Sequence, residues 1–189
     1  MSSKGGCLFV VSGPSGTGKS SLIERFLRED TQSRFSVSYT TRIKRPHEVD
    51  GKDYFFVDQE TFQGMIEAGR LLEWESVHGY FYGTPVAEVS EPLSRGVDVL
   101  LDIDVKGALR VKEKCAHAVL IFVDTPSVDE LVRRLSQRGE KEIEKRMERV
   151  REEVSKKGLF TYVVINDNLE RAYGEFKSIV NEVRRRHDG

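Results

Sequence analysis

The stretch GPSGTGKSS (Gly13 to Ser21) constrains this chain more than any other part of it. It follows directly on the apolar run CLFVV, Cys7 to Val11, and precedes Leu22, Ile23, Phe26 and Leu27, which fall on one helical face. Three glycines and a proline within six residues suit neither a strand nor a helix. They do suit a backbone that wraps around an anion. Gly13, Pro14, Ser15, Gly16, Thr17, Gly18, Lys19 and Ser20 fit G-x-x-x-x-G-K-[ST], with Ser21 next in line. In that pattern the glycines let backbone N–H groups converge without a Cβ in the way, and the following helix aims its unpaired N-terminal donors at the same point. Lys19 supplies a mobile charge for β and γ phosphates, and the Ser20 hydroxyl is a hard oxygen ligand for Mg2+. The motif therefore predicts an ATP-type site, although it leaves the phosphoryl acceptor open.

The rest of the chain supplies a matching frame. VDVLLDID (Val97 to Asp104), AVLIFV (Ala118 to Val123) and TYVVIN (Thr161 to Asn166) read as buried strands like the first. Helical patterns alternate with them, which predicts an α/β protein: a P-loop NTPase-type core with a mostly parallel sheet flanked by helices. Ser127 and Glu130 have capping-box spacing ahead of Leu131 and Leu135. Gly139 interrupts that pattern. Ile143, Met147, Val150 and Val154 then form a second stripe, with Gly158 expected just past the helix end. A last helix carries Leu169, Ala172, Phe176, Ile179, Val180 and Val183, and closes on RRRH, expected to be a solvated end.

Residues 35–93 break this alternation. FSVSYTTR and DYFFV suggest short antiparallel strands, ETFQGMIEAG a short helix, and Thr84-Pro85 a helix start with Thr84 as cap and Pro92 near the end. The expected organisation of residues 1–189 is a single domain: a core of about 1–34, 94–125 and 158–189, an inserted α+β lobe of about 35–93, and a helical lid of about 126–157.

Charge narrows the partners. Thirty Lys and Arg nearly cancel 31 Asp and Glu, so no general basic field points to nucleic acid. No apolar stretch is long enough for a membrane span or a signal sequence. Cys7 and Cys115 lie far apart, outside any metal or redox motif, and read as reduced thiols of a cytoplasmic protein; the four histidines show no zinc spacing. Oligomeric state is left open.

The middle segment bears on the acceptor. SYTTRIKRPHEVDGKDYFF sets Arg42 and Arg45 three residues apart, with Tyr54 shortly after, and arginine grips phosphate in a bidentate way. LLEWE places Glu73 beside Trp74. From about Phe9 to Arg184, in order, SGPSGTGKSS, FSVSYTTR, GKDYFFV, LLEWE, YGT, LDID and VIND resemble the guanylate kinases, ATP:GMP phosphotransferases.

That resemblance implies phosphorylation of GMP, and of dGMP, to GDP or its deoxy form. It implies that Arg42, Arg45, Tyr54 and Tyr82 hold the GMP phosphate, and that Ser38, Glu73 and Thr84 read guanine. It places Asp102 and Asp104 near metal and acceptor, Asp102 through water to Mg2+. Arg138 and Arg146 become lid arginines that join Lys19 and Arg42 in catalysis, and Asn166 lies where the family contacts adenine. The assignment is chemically coherent: one carboxylate can accept both guanine N1–H and the 2-amino group, while the hydroxyls donate to O6. A site of that kind rejects the wrong base by roughly 10⁴–10⁵.

Three positions depart from the family pattern: His47 replaces a glycine, Phe81 a tyrosine, and Lys106 a glutamine. The stretch between Arg138 and Arg146 is also about three residues shorter. Two other readings stay open at this level, a non-catalytic guanylate-kinase-like interaction module and a P-loop kinase for a different acceptor.

Overall fold

The structure is a computed structural model that describes residues 5–77, 79–137 and 143–188. Arg138 and Gly139 lie outside the described residues, as does the side chain of Ile143. The chain runs β1 (Leu8–Ser12), α1 (Lys19–Glu29), β2 (Ser33–Phe35), β3 (Tyr39–Thr40), β4 (Phe55–Phe56), α2 (Gln59–Glu67), β5 (Leu71–Val77) and β6 (Tyr80–Pro85). It continues with α3 (Val86–Ser94), β7 (Asp98–Asp102), α4 (Val105–Lys114), β8 (Val119–Asp124), α5 (Val128–Gln137), α6 (Ile143–Ser155), β9 (Tyr162–Ile165) and α7 (Leu169–Asp188).

Five strands form a parallel sheet in the order β2-β7-β1-β8-β9. Because helices cover both faces, its strands are apolar on both sides, and successive residues point in opposite directions. Phe9 and Val11 of β1 pack with Leu22, Ile23 and Phe26 of α1 and with Ala172, Phe176 and Val180 of α7. Leu8 and Val10 face the other way, onto Val89 of α3 and Val105, Ala108 and Val111 of α4. Phe26 and Phe176 meet edge to face, 5.4 Å between ring centroids. The carboxyl ends of β1, β7 and β8 therefore point to one crevice, the place where parallel sheets of this kind bind ligands.

A second sheet, β4-β3-β6-β5, is built from segments between Tyr39 and Pro85. The expectation of antiparallel pairing holds for β3–β6 and β5–β6, but β3–β4 is parallel. FSVSYTTR also divides between sheets: β2 joins the core beside β7, and only Tyr39 and Thr40 enter the lobe. A two-residue strand carries too little pattern to show which neighbour it will find. Helix α3 begins one residue later than expected, with Pro85 at the cap, because the Thr84 hydroxyl has a partner elsewhere. Gly158 is not a helix-terminal residue; it sits inside a 3-10 turn, Lys157–Leu159, after α6 has ended. Ser127 does cap α5, accepting from Glu130 N–H at 3.2 Å, but Glu130 turns to Arg133 and Arg134 instead of completing the box. Leu169 is exposed, and Tyr173 takes a buried place on the same helix.

The RRRH end is also not uniformly solvated. Arg184 reaches back to Asp30 at 2.8 and 2.9 Å and to Asp98 at 2.7 Å, tying α7 to the ends of α1 and β7. Asp98 in turn accepts from Cys7 N–H at 2.6 Å, so the network reaches the first strand.

Candidate active site

The glycine-rich loop between β1 and α1 is held from three sides. Gly13, Gly16 and Gly18 all have positive φ, the region that disfavours a Cβ. At Gly13 a Cβ would stand 2.2 Å from the Val123 carbonyl oxygen, so the loop lies directly on β8. At Gly18 it would stand 2.3 Å from Asn166 Nδ2. That nitrogen donates to the Thr17 carbonyl at 2.8 Å, clamping the loop from the end of β9. Thr17 closes the turn by donating its hydroxyl to the Pro14 carbonyl at 2.9 Å. Lys19 Nζ lies across the loop, donating to the carbonyls of Gly13 at 2.6 Å and Pro14 at 3.0 Å.

Ser20, the second residue of α1, donates to Asp102 Oδ2 at 3.1 Å. Asp102 is the last residue of β7, and β7 pairs with β1, so adjacent strand ends bring these oxygens together. Two hard oxygens beside a phosphate loop are a fitting donor set for Mg2+.

Across the crevice, Glu73 of β5 is buried, 5% exposed, and accepts the Thr84 hydroxyl at 2.6 Å. The two residues are register partners on β5 and β6. Gly107 on α4 makes room for this carboxylate, since a Cβ there would fall 2.7 Å from Glu73 Oε2. Burial, and then the nearby charge of Asp104, raises the Glu73 carboxyl to about 7. A carboxylate kept so dry gains much from two matched donors. Asp104 caps α4 by accepting Gly107 N–H at 2.7 Å. Ser38 and Tyr82 line the same space.

Arg42 is held in a clasp. Its guanidinium donates to both oxygens of Glu48, at 3.0 and 2.7 Å, to the Ile43 carbonyl at 2.9 Å and to Tyr82 Oη at 3.2 Å. It lies 5.5 Å from the Tyr54 ring centre. Glu48 is buried and also accepts Arg45 N–H at 2.8 Å; the Arg42 guanidinium holds its carboxyl down at about 2. Desolvation pushes the Tyr54 phenol up to about 12, so its hydroxyl remains a donor at neutral pH.

One cavity of about 850 Å³ has Gly13, Ser15, Gly16, Gly18, Lys19, Ser20 and Ser21 on one wall and Ser38, Glu48, Tyr54, Glu73 and Tyr82 on the other; Arg42 and Arg45 are not among its lining residues. Arg146 and Arg149 of α6 close a third side. The volume accommodates two ligands placed end to end.

The family model described as guanylate kinase matches residues 6–183. A guanylate kinase of Thermotoga maritima is 47% identical over 182 residues, 95% of this chain and 88% of the relative. One from Thermus thermophilus is 48% identical over 184 residues, 96% of this chain and 83% of the relative. The crystal structure of guanylate kinase from Anaplasma phagocytophilum superposes with a TM-score of 0.79 at 34% identity, covering 96% of this chain and 88% of that one. The chain belongs to the guanylate kinase family.

Within this guanylate kinase framework, the structure gathers Lys19, Ser20, Ser38, Tyr54, Glu73, Tyr82, Thr84, Asp102, Asp104 and Arg146 around the crevice. Three expected residues sit differently. Asn166 is buried, with its side-chain amide on the Thr17 carbonyl, so it braces the loop from behind. Arg42 spends most of its donors on Glu48, Ile43 and Tyr82, and Arg45 is exposed, meeting Glu48 through its backbone. Glu48 itself does not stand out in the sequence. Its signal is present all the same, because a half-buried arginine requires a carboxylate and RPHE offers one six residues after Arg42. Arg149 and Glu153 escape sequence reasoning too. Nothing in a charge-dense helix marks which of its charges faces inward.

Proposed function

We propose that the chain catalyses transfer of the γ-phosphoryl group of ATP to GMP, giving ADP and GDP, and that dGMP is also accepted. The observation that carries this reading is a buried carboxylate, Glu73, paired with the Thr84 hydroxyl in the same cavity as a phosphate loop. Guanine N1–H and the 2-amino group are two adjacent donors for one carboxylate, and O6 is an acceptor for the Ser38 hydroxyl, or for that of Thr84 once it turns from Glu73. Adenine would set an amine against those donors and, with an unprotonated N1 and no 2-amino group, would offer Glu73 no donor at all. The division of labour is accordingly a core holding ATP, residues 35–93 holding GMP, and residues 126–157 acting as the lid.

Phosphoryl transfer asks for alignment and charge stabilisation more than for covalent chemistry. The loop amides and Lys19 hold the β and γ phosphates of ATP. Lys19 leaves the carbonyls of Gly13 and Pro14 for the phosphates when the nucleotide enters. Tyr54 and Tyr82 donate to the GMP phosphate, with Arg42 and Arg45 behind them, and Glu48 keeps the Arg42 plane fixed. Arg146, together with Arg138, covers the transferring group from the lid. The acceptor oxygen is already anionic at neutral pH, so no general base is needed. Ser20 and, through water, Asp102 would hold Mg2+, which would supply charge neutralisation on the phosphates. We place this reaction in the cytoplasm: Cys7 and Cys115 are both thiols, and no described helix is long and apolar enough to cross a membrane.

The test is ADP formation from ATP with a panel of GMP, dGMP, AMP, CMP and UMP. Turnover with GMP at least about a hundredfold above the non-guanine acceptors is expected. ADP formation that does not depend on GMP would overturn the reading, and GMP binding without turnover would return the chain to the class of interaction modules.

A further inference from the structure

Helix α4 touches both the base-reading lobe and the lid. On its lobe side, Arg110 donates to the Trp74 carbonyl and pairs with Glu75 at 2.9 Å, while Gly107 lies against Glu73. On its lid side two ion pairs join it to α6: Lys106 to Glu152 at 3.3 Å, and Asp104 to Arg149 at 3.2 Å. Arg149 is fixed in turn by Glu153 at 2.9 Å, four residues along its own helix. The Lys106 pair is half exposed on both sides, which makes it weak on its own. The Arg149 pair is more sheltered, since the Asp104 side chain is 19% exposed and Glu153 13%.

Two carboxylates, Glu73 and Asp104, meet at Gly107, where a Cβ would fall 2.7 Å from Glu73 Oε2 and 3.3 Å from Asp104 Oδ1, and the Asp104 charge opposes ionisation of Glu73. Asp104 has one oxygen on Gly107 N–H and the other on Arg149. We propose that Arg149, carried on the lid helix, is a positioning residue for the acceptor site: it holds Asp104 and offsets its charge, so that Glu73 can accept guanine as a carboxylate. This rests on the reading of Glu73 given above. The lid thereby does more than cover phosphates. Its seating on Asp104 completes the electrostatics of the guanine pocket, and guanine entering that pocket favours the seated lid, because coupling between two sites is reciprocal.

The groups facing Glu73 are the Thr84 hydroxyl and N–H from β6, Asp104 at the start of α4 and Arg110 further along it. Of these, Asp104 opposes ionisation, and Arg149 is its ionic partner from α6. Removing Arg149 leaves the Asp104 charge unopposed, so Glu73 should ionise only at higher pH.

Steady-state kinetics on Arg149→Met, Arg149→Lys, Asp104→Asn and the double variant test this, with Arg151→Gln, an exposed charge on the same helix, as control. Arg149→Met should raise KM for GMP about tenfold, with kcat and KM for ATP changed less than about threefold, on the scale of one charge-assisted hydrogen bond. The acid limb of kcat/KM for GMP should move to higher pH. Arg149→Lys should recover part of the loss, and Asp104→Asn should make Arg149→Met nearly silent. Unchanged KM for GMP in Arg149→Met overturns the proposal. So does a loss shared equally by KM for ATP, or full additivity with Asp104→Asn. Wild-type turnover of GMP in the same assay separates the outcomes: its absence removes the functional reading, whereas its presence with a silent Arg149→Met removes only the role of Arg149.

Discussion

Replacing Glu73 by glutamine should make the substrate-free protein more stable at pH 8 while removing its selection of guanine. Burial raises this carboxyl from the ordinary glutamate value to about 7, with the charge of Asp104 adding to the effect. The folded state thus holds a proton that the unfolded chain has released. The resulting stability is fully present below about pH 4.5 and is lost as pH rises through about 7. At pH 8 the ionised, buried Glu73 costs about 3 kcal/mol relative to an uncharged group. Glutamine removes that cost and its Oε1 can still accept the Thr84 hydroxyl, but its amide hydrogens need partners, which returns part of the gain. Urea denaturation without nucleotide should show Glu73→Gln about 1–3 kcal/mol more stable than wild type at pH 8, with the advantage gone by pH 5. In parallel, kcat/KM for GMP should fall at least about a hundredfold. Wild-type affinity for GMP should itself weaken about tenfold from pH 8 to pH 6, beyond the roughly twofold change that protonation of a phosphate brings. A stability difference of the same size at both pH values would refute the reasoning, since it would show that the carboxyl is not held back from ionising.

Three further outcomes follow from the geometry. Glu48→Gln breaks the clasp on Arg42 and should raise KM for GMP about tenfold with KM for ATP unchanged, because the half-buried arginine loses its charged partner; steady-state kinetics check it. Lys19→Met removes the only side chain that spans Gly13 and Pro14 among the described contacts, and single-turnover kinetics should show phosphoryl transfer slowed about 10²–10³. Arg184→Met strands Asp30 and the buried Asp98 without their cation, and thermal or urea unfolding should report about 3 kcal/mol lost with KM values intact.

Much of this protein is legible in the order of its residues alone. An apolar run, a glycine-rich turn and an amphipathic helix allow few arrangements of Gly13 to Ser21, because each residue's role there is local and backbone-determined. The alternation of buried strands with helices determined the parallel core in the same way, since strands covered on both faces must be continuously apolar. The proposal that Glu73 selects the base comes only through the resemblance of LLEWE to a known family; a glutamate beside a tryptophan has no chemistry of its own. The tertiary structure decided what depends on distant partners. It moved the Thr84 hydroxyl from a helix cap to Glu73, turned the Asn166 amide onto Thr17, and spent Arg42 on Glu48, Ile43 and Tyr82. It also picked out Arg149 and Arg184 from crowded charged helices, facing carboxylates 45 and 86 residues away. Sequence periodicity tells which side of an element is apolar, but the partner of a polar group depends on which other element packs against it. For that reason the scaffold was written locally, while the balance of charge around Glu73 and Asp104 was settled only when β5, α4 and α6 came together.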